Sequence, residues 1–265
     1  MSRKIRLIIM ALLLAVFCAA GGVILYTQYK YEKEDKVYEQ AAEEFTHRVE
    51  NTGATGTSGT TGEAGMAGPD IPLKVDFEKL RETNSDVVGW IYCQDTAINY
   101  PILQGSDNDY YLRRNLNQEH QTAGSIFMES TNHPGFADSN TIIYGHHMKN
   151  GSMFACLDEW ADQAFYETHP VMWLLTPEQD YQILLFAGYT TPATSDTYIT
   201  FDGPCQELEE YLDRCLKQSD FQADFDILGE TALDPDGRYV VLSTCAYNFK
   251  DARYVLHGKL VPVEK

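Results

Sequence analysis

The sequence predicts a β-barrel or strongly curved sheet with peripheral helices, preceded by a membrane-spanning helix. Three observations carry that reading. Eight short runs rich in β-branched and aromatic residues follow position 87, punctuated by turn residues. Two or three helical patterns fall among them without the regular crossovers of a doubly wound parallel sheet. Near the N-terminus, Leu7 to Tyr26 is a run of 20 residues with no charge.

That run justifies the first element. At 1.5 Å per residue its helix spans about 30 Å, the hydrocarbon thickness of a bilayer. Arg3, Lys4 and Arg6 precede it, which keeps residues 1–6 cytoplasmic and puts everything after Tyr26 outside. The alternative is a cleaved signal peptide, whose apolar region is about 7–15 residues. The length favours an uncleaved signal anchor over residues 7–26. Cys18 lies inside it and reads as an apolar membrane residue, because bulky Phe17 precedes it.

Residues 27–50 are highly charged and helix-compatible, a stalk. Residues 51–72 form a linker with glycine at every third position from Gly53 to Gly68. Collagen shares that period, but six triplets with a single proline, Pro69, are too few and too poor in imino acid to hold a triple helix. A flexible spacer is the reading. Residues 73–265 are globular, one sizeable domain.

Within that domain Asp76 to Leu80 opens a short helix. Val87 to Tyr92 and Ile98 to Leu103 read as strands, as do Ser125 to Met128 and Thr141 to Tyr144. Ser152 to Ala164 is amphipathic, with Phe154, Leu157 and Trp160 on one face. Val171 to Thr176 and Tyr181 to Tyr189 flank Pro177-Glu178-Gln179-Asp180, a hairpin. Pro204 to Lys217 is a second amphipathic helix with proline in its first turn. The turn Asp234-Pro235-Asp236-Gly237 leads into two last strands around Val240-Val241-Leu242 and Tyr254-Val255-Leu256.

Composition narrows function. The 265-residue chain has a net charge of −19, which excludes a nucleic-acid partner needing a basic footprint. Five cysteines lie beyond the anchor: Cys93, Cys156, Cys205, Cys215 and Cys245. An odd number in an exterior compartment leaves at least one thiol unpaired. Their spacing is not that of a zinc site, and Cys205 and Cys215, ten residues apart on one predicted helix, cannot bridge while it stays helical.

Cys245 ends a strand-like run, and Arg253 starts the next one across a short polar connection. A cysteine nucleophile needs its thiolate, a proton donor for the leaving group and a holder for the developing oxyanion. Arg253 supplies a permanent charge and a fork of donors. The proton donor is sought among seven histidines. His47 sits in the stalk, and His120, His133 and His169 lie in polar, turn-like segments. His257 shares a strand face with Arg253 but lies four residues on, about 13 Å away, and reads as a core or rim residue. His146 and His147 end the run "NTIIYGHH", where Gly145 allows close backbone approach. Successive strand residues face opposite ways, so at most one of the pair lines the site and the two do not chelate a metal. Periodicity leaves the choice between them open.

These segments together resemble a known family. "VVLSTCAYNFKDARYVLHGKL" is similar to the Leu-x-Thr-Cys strand and downstream arginine of the sortases, here Leu242 to Cys245 and Arg253. "NTIIYGHHMKNGSMFACL" resembles their histidine strand, in which the first histidine is catalytic, and so selects His146. "VGWIYCQDTAINYPILQGSDNDYYLRRN" and the helix inserted before the cysteine strand resemble class B. The resemblance covers about Phe77 to Leu260, with the motifs in the family's order.

It implies a closed eight-stranded antiparallel barrel and cysteine transpeptidation of a surface-protein sorting signal of Asn-Pro-x-Thr type. Cys245 would form a thioacyl enzyme after the signal's threonine, His146 would protonate the departing amine, and Arg253 would hold the oxyanion or the signal backbone. Asn108 and Leu112 in "DNDYYL", Thr194, Tyr198 and Ile199 in "TSDTYI", and Ser243 would line the signal groove. An amine from a peptidoglycan precursor or a pilin would resolve the thioester. No cofactor and no metal is implied. A plain exterior cysteine peptidase and an anchored, non-catalytic binding barrel are the rival readings. An amine-dependent product excludes the first, and a reactive Cys245 excludes the second.

Overall fold

A computed structural model describes residues 3–49, 71–228 and 233–263. The glycine-rich tract 51–69 lies outside the described residues. Helix α1, Arg3–Phe45, runs unbroken from the apolar segment into the charged one. Among the described residues it is the helix long and apolar enough to cross a membrane. Its apolar side chains, Leu13, Leu14 and Phe17 among them, are exposed in the way that lipid would cover.

The segment expected as a stalk is the docked half of this helix. Tyr38, Ala41 and Phe45 recur at helical spacing and are buried against the domain, together with one charged residue, Glu34, while most of the other charges face outward. Truncating a core phenylalanine such as Phe45 to alanine costs about 3 kcal/mol. Strand β1, Thr46–Arg48, then pairs antiparallel with β2, Leu73–Val75. Beyond that ladder the Val49 N–H donates to the Pro72 carbonyl at 3.1 Å. The described residues that flank the tract are therefore fastened side by side, and its length does not set the distance from the apolar half of α1 to the domain. Helix α2, Phe77–Thr83, starts at Asp76, whose carboxylate accepts from the Lys79 N–H at 3.0 Å.

Eight strands close the barrel: β3 (Val87–Tyr92), β4 (Asn99–Leu103), β5 (Ile126–Met128), β6 (Asn140–Tyr144), β7 (Val171–Leu175), β8 (Asp180–Pro192), β9 (Arg238–Cys245) and β10 (Ala252–Val263). Their order around the barrel is β10-β8-β7-β3-β4-β5-β6-β9. The expected closure is found, but the all-antiparallel expectation is corrected. The β4–β5 and β6–β9 seams are parallel. Both follow long connections, which parallel pairing requires, and spacing along a sequence does not reveal which way a returning strand runs.

The barrel wall has two apolar faces. On β9, Val240 and Leu242 join the large interior core, while Val241 joins a second cluster with Leu208, Tyr211, Leu212 and Cys215. Those four lie on the helix α4, Gln206–Gln218, which covers the outside of the wall. This explains why the run is continuously apolar rather than alternating. Pro204 precedes the N-cap, Cys205, instead of entering the first turn.

The expected helix 152–164 divides in two. A 3₁₀ segment, Ala155–Ala161, is followed by α3, Gln163–Thr168, restarted by Asp162, whose carboxylate caps Ala164. Phe154, Leu157 and Trp160 are all buried, and their spacing of three suits the tighter turn. A one-turn helix α5, Phe225–Leu228, precedes β9.

Candidate active site

The parallel β6–β9 ladder pairs Asn140 with Tyr239 and continues to Tyr144 with Ser243. The Gly145 N–H then donates to the Ser243 carbonyl at 3.0 Å. Both chains leave the ladder in the same direction, and two residues further on stand His146 and Cys245. On the other side of β9 the antiparallel ladder with β10 sets Cys245 opposite Arg253. Three side chains distant in sequence thereby line one cleft of about 340 Å³.

Gly145 is needed for this convergence. A Cβ there would lie 2.5 Å from Ile126 Cδ1 and 2.6 Å from Phe154 Cδ2, inside contact distance. The chain can thus turn close over the core and send the two histidines apart. His146 lines the cleft, and its Nε2–H donates to the Leu112 carbonyl at 2.8 Å. His147 reaches Asp158 at 3.2 Å and packs edge-on against Tyr247. Burial holds the His146 pKa below its ordinary value, the Leu112 bond opposes that, and the Arg113 and Arg253 charges reinforce it.

The arginine is half-buried, and its Nη1–H donates to the Ala252 carbonyl at 2.9 Å. A guanidinium carries five N–H donors, so this bond orients the fork and leaves donors for an incoming oxygen. All six cysteines carry free thiols. Burial pushes Cys93 and Cys156 up to about 12 and Cys215 up to about 11, which makes them inert. Cys245 is the partly exposed thiol in the cleft.

Of the residues expected in the groove, Asn108, Leu112, Tyr198 and Ser243 line the cleft. Thr194 and Ile199 are exposed and do not line it. A short 3₁₀ turn, Asp196–Tyr198, directs Tyr198 inward, where its hydroxyl meets Ser243 Oγ at 2.8 Å. Asn140 holds the next residue by its backbone, donating to the Ile199 carbonyl at 2.8 Å, and the Ile199 side chain is left outside.

Phe127, Tyr144, Ala193 and Thr244 also line the cleft and were not anticipated. Tyr144 directly precedes Gly145 in the histidine run, a strand-end position that could have flagged it. Beneath them lies Glu129, a buried carboxylate with no sequence signal of its own. Its Oε2 accepts from Asn108 Nδ2 at 2.7 Å and from the Tyr144 hydroxyl at 3.0 Å. Its Oε1 accepts from Ser130 Oγ and from both the backbone and hydroxyl of Thr131. Burial works to raise its pKa, but the bonds from Thr131, Tyr144 and Asn108 outweigh it and hold the group below the usual carboxylate value.

His257 is a core residue, stacked on Tyr189 and bonded to its hydroxyl at 3.1 Å. His169, in a polar, turn-like segment by sequence, is half-buried and stacks on Phe165. Among the described residues, the cluster with metal-ligand chemistry is His133, Asp138 and Asp202, and Asp138 is already committed to His133 and Asn132.

A sortase-domain family model matches residues 91–261. Sortase B of Listeria monocytogenes is 40% identical over 189 residues, 70% of this chain and 74% of the relative. Sortase B of Staphylococcus aureus is 36% identical over 194 residues, covering 72% and 77%. The chain is a class B sortase. Solved structures agree with this. Sortase B from B. anthracis in complex with AAEK1 superposes with a TM-score of 0.69 at 32% identity, covering 89% of this chain and 99% of that one. A Staphylococcus aureus sortase B–substrate complex gives a TM-score of 0.65 at 33% identity, covering 71% and 85%. This sortase is a cysteine transpeptidase, and the resemblance read from its cysteine and histidine strands is borne out.

Proposed function

We propose that this sortase cleaves a surface-protein sorting signal of Asn-Pro-x-Thr type after its threonine and joins the new carboxyl end to an amine of a peptidoglycan precursor. The observation that carries the proposal is the shared cleft, with Cys245 opposite Arg253 and His146 leaving the neighbouring strand beside them.

In the first half-reaction the Cys245 thiolate attacks the threonine carbonyl carbon. Arg253 donates to the oxygen as negative charge develops on it. The C–N bond breaks, His146 gives its proton to the departing amine, and a thioester remains on Cys245. In the second, an acceptor amine attacks the thioester carbon and passes a proton to the neutral His146. The sulfur leaves as thiolate, and the starting protonation is restored. Asn108, Leu112, Tyr198 and Ser243 hold the signal alongside.

The N-terminal helix keeps the domain on the outer face of the membrane as a single-pass anchor. Sorting signals and lipid-linked acceptors are held at the same surface, so tethering raises their effective concentration.

The experiment is an assay of a sorting-signal peptide library with and without an amine acceptor. The expected result is cleavage of Asn-Pro-x-Thr peptides with an amine-dependent ligated product. Hydrolysis alone, unaffected by amine, would replace the reading with a peptidase.

A further inference from the structure

The helix that carries the anchor also reaches the loop that holds His146. Glu34 of α1 is buried, and its carboxylate accepts from the backbone N–H groups of Thr122 at 3.1 Å and Ala123 at 3.2 Å. The Gln121 amide donates to the Glu34 carbonyl at 3.1 Å. One turn further along α1, the Tyr38 hydroxyl donates to the Gly124 carbonyl and lies 3.1 Å from Ser125 Oγ. The turn 121–125 is thus gripped along two turns of the helix.

That turn in turn braces the segment beside the cleft. The Gln121 N–H donates to the Arg113 carbonyl at 2.9 Å and the Ser125 N–H to the Tyr111 carbonyl at 3.0 Å. Gly124 has φ +58°, and a Cβ there would sit 2.6 Å from the Leu112 carbonyl oxygen. The Leu112 oxygen is the atom that accepts from His146 Nε2. From Tyr38 to the imidazole there are only two intermediaries, Gly124 and Leu112. The connection between β4 and β5 that contains them is long and has little regular structure, the kind of segment that adopts many conformations unless held.

We infer that Glu34 and Tyr38 are positioning residues for transpeptidation: α1 clamps the 121–125 turn, the turn fixes the Leu112 carbonyl, and that carbonyl sets the His146 imidazole in the cleft. The anchoring helix is then part of the machinery, and the domain works as a unit with it. The inference rests on the proposed role of His146.

The test uses the full chain in detergent micelles with a signal peptide and an amine. Glu34→Ala and Tyr38→Phe are compared with wild type for kcat, KM, melting temperature and the pH dependence of kcat/KM. His146→Ala is the reference. A small misplacement of a catalytic group costs on the order of tenfold or more in rate, so kcat falls by that much with KM within about twofold. The limb of the pH profile that reports His146 moves to lower pH, because the Leu112 bond supports the protonated ring. Glu34→Gln, which keeps one acceptor oxygen, recovers part of the rate.

Wild-type kcat and an unmoved limb in folded variants overturn the inference, whether or not the melting temperature drops. Tyr38→Phe removes a single hydroxyl and keeps the ring, so it decides the matter if Glu34→Ala does not fold. If His146→Ala itself retains turnover, the proposed role of His146 fails. If His146→Ala is inactive and the α1 variants match wild type, only the clamp fails.

Discussion

Cys245 sits directly opposite Arg253 on the antiparallel β9–β10 ladder. Side chains of directly opposed residues share a face at about 5 Å between Cβ atoms, which puts sulfur and guanidinium within reach of the same carbonyl, as the proposed mechanism requires. Removing an oxyanion donor costs about 10²–10³ in kcat. Arg253→Ala is expected to lose that much in steady-state turnover of a signal peptide. Arg253→Lys keeps the charge without the fork and falls between. Arg253→Ala turnover within a few-fold of wild type would remove arginine from the chemistry.

The pH profile follows from His146. In the proposed mechanism the thiol and imidazole work with one proton between them, and taking up a second one switches the pair off. Burial lowers the His146 pKa from its ordinary 6.5, so the neutral ring persists to more acidic pH. The acid limb of kcat/KM is therefore expected below pH 6.5. Arg253→Ala removes one of the charges that depress it, so the limb moves up in whatever activity remains. A wild-type limb at or above that value contradicts the assignment.

Glu129 is expected to act through Asn108 and Tyr144. Glu129→Gln puts an amide where those two donors need an acceptor, and Asn108 loses its fixed orientation. Charged-group hydrogen bonds contribute about 1.5–3 kcal/mol, so KM for the signal peptide is expected to rise on the order of tenfold while kcat stays within about twofold. Equal loss in kcat and kcat/KM would instead put Glu129 in the chemical step.

His257 predicts an acid weakness of the fold. Burial depresses its pKa to about 3, well below the unfolded value near 6.5. The unfolded chain binds a proton that the folded one refuses. Its contribution is thus fully present above about pH 6.5 and is lost as pH falls toward 3, by up to about 1.4 kcal/mol per pH unit. Melting temperatures at pH 7 and pH 5 should differ less in His257→Gln than in wild type. An identical drop in both would assign the weakness elsewhere.

Much of this was readable beforehand, for physical reasons. Strand runs such as 87–92 and 171–176 show because β-branched and aromatic side chains fill both faces of a covered wall. The hairpin at 177–180 shows because turn residues separate two such runs. Strand direction leaves no mark, so the parallel β6–β9 seam that levels His146 with Cys245 was hidden, and periodicity could not choose between His146 and His147. The charges between Lys30 and Glu44 masked the narrow apolar stripe of Tyr38, Ala41 and Phe45, and a docked helix read as a stalk. Thr194 and Ile199 lay in the right segment, but a single 3₁₀ turn decides which of its side chains enters the cleft. Glu129 matters only through partners that folding brings to it.

The most direct measurement is intact mass spectrometry of the enzyme quenched with a signal peptide in the absence of amine. The account predicts an adduct equal to the signal up to its threonine, carried on Cys245, released by hydroxylamine and absent from Cys245→Ala. Turnover by Cys245→Ala, or an adduct on any other residue, would contradict it.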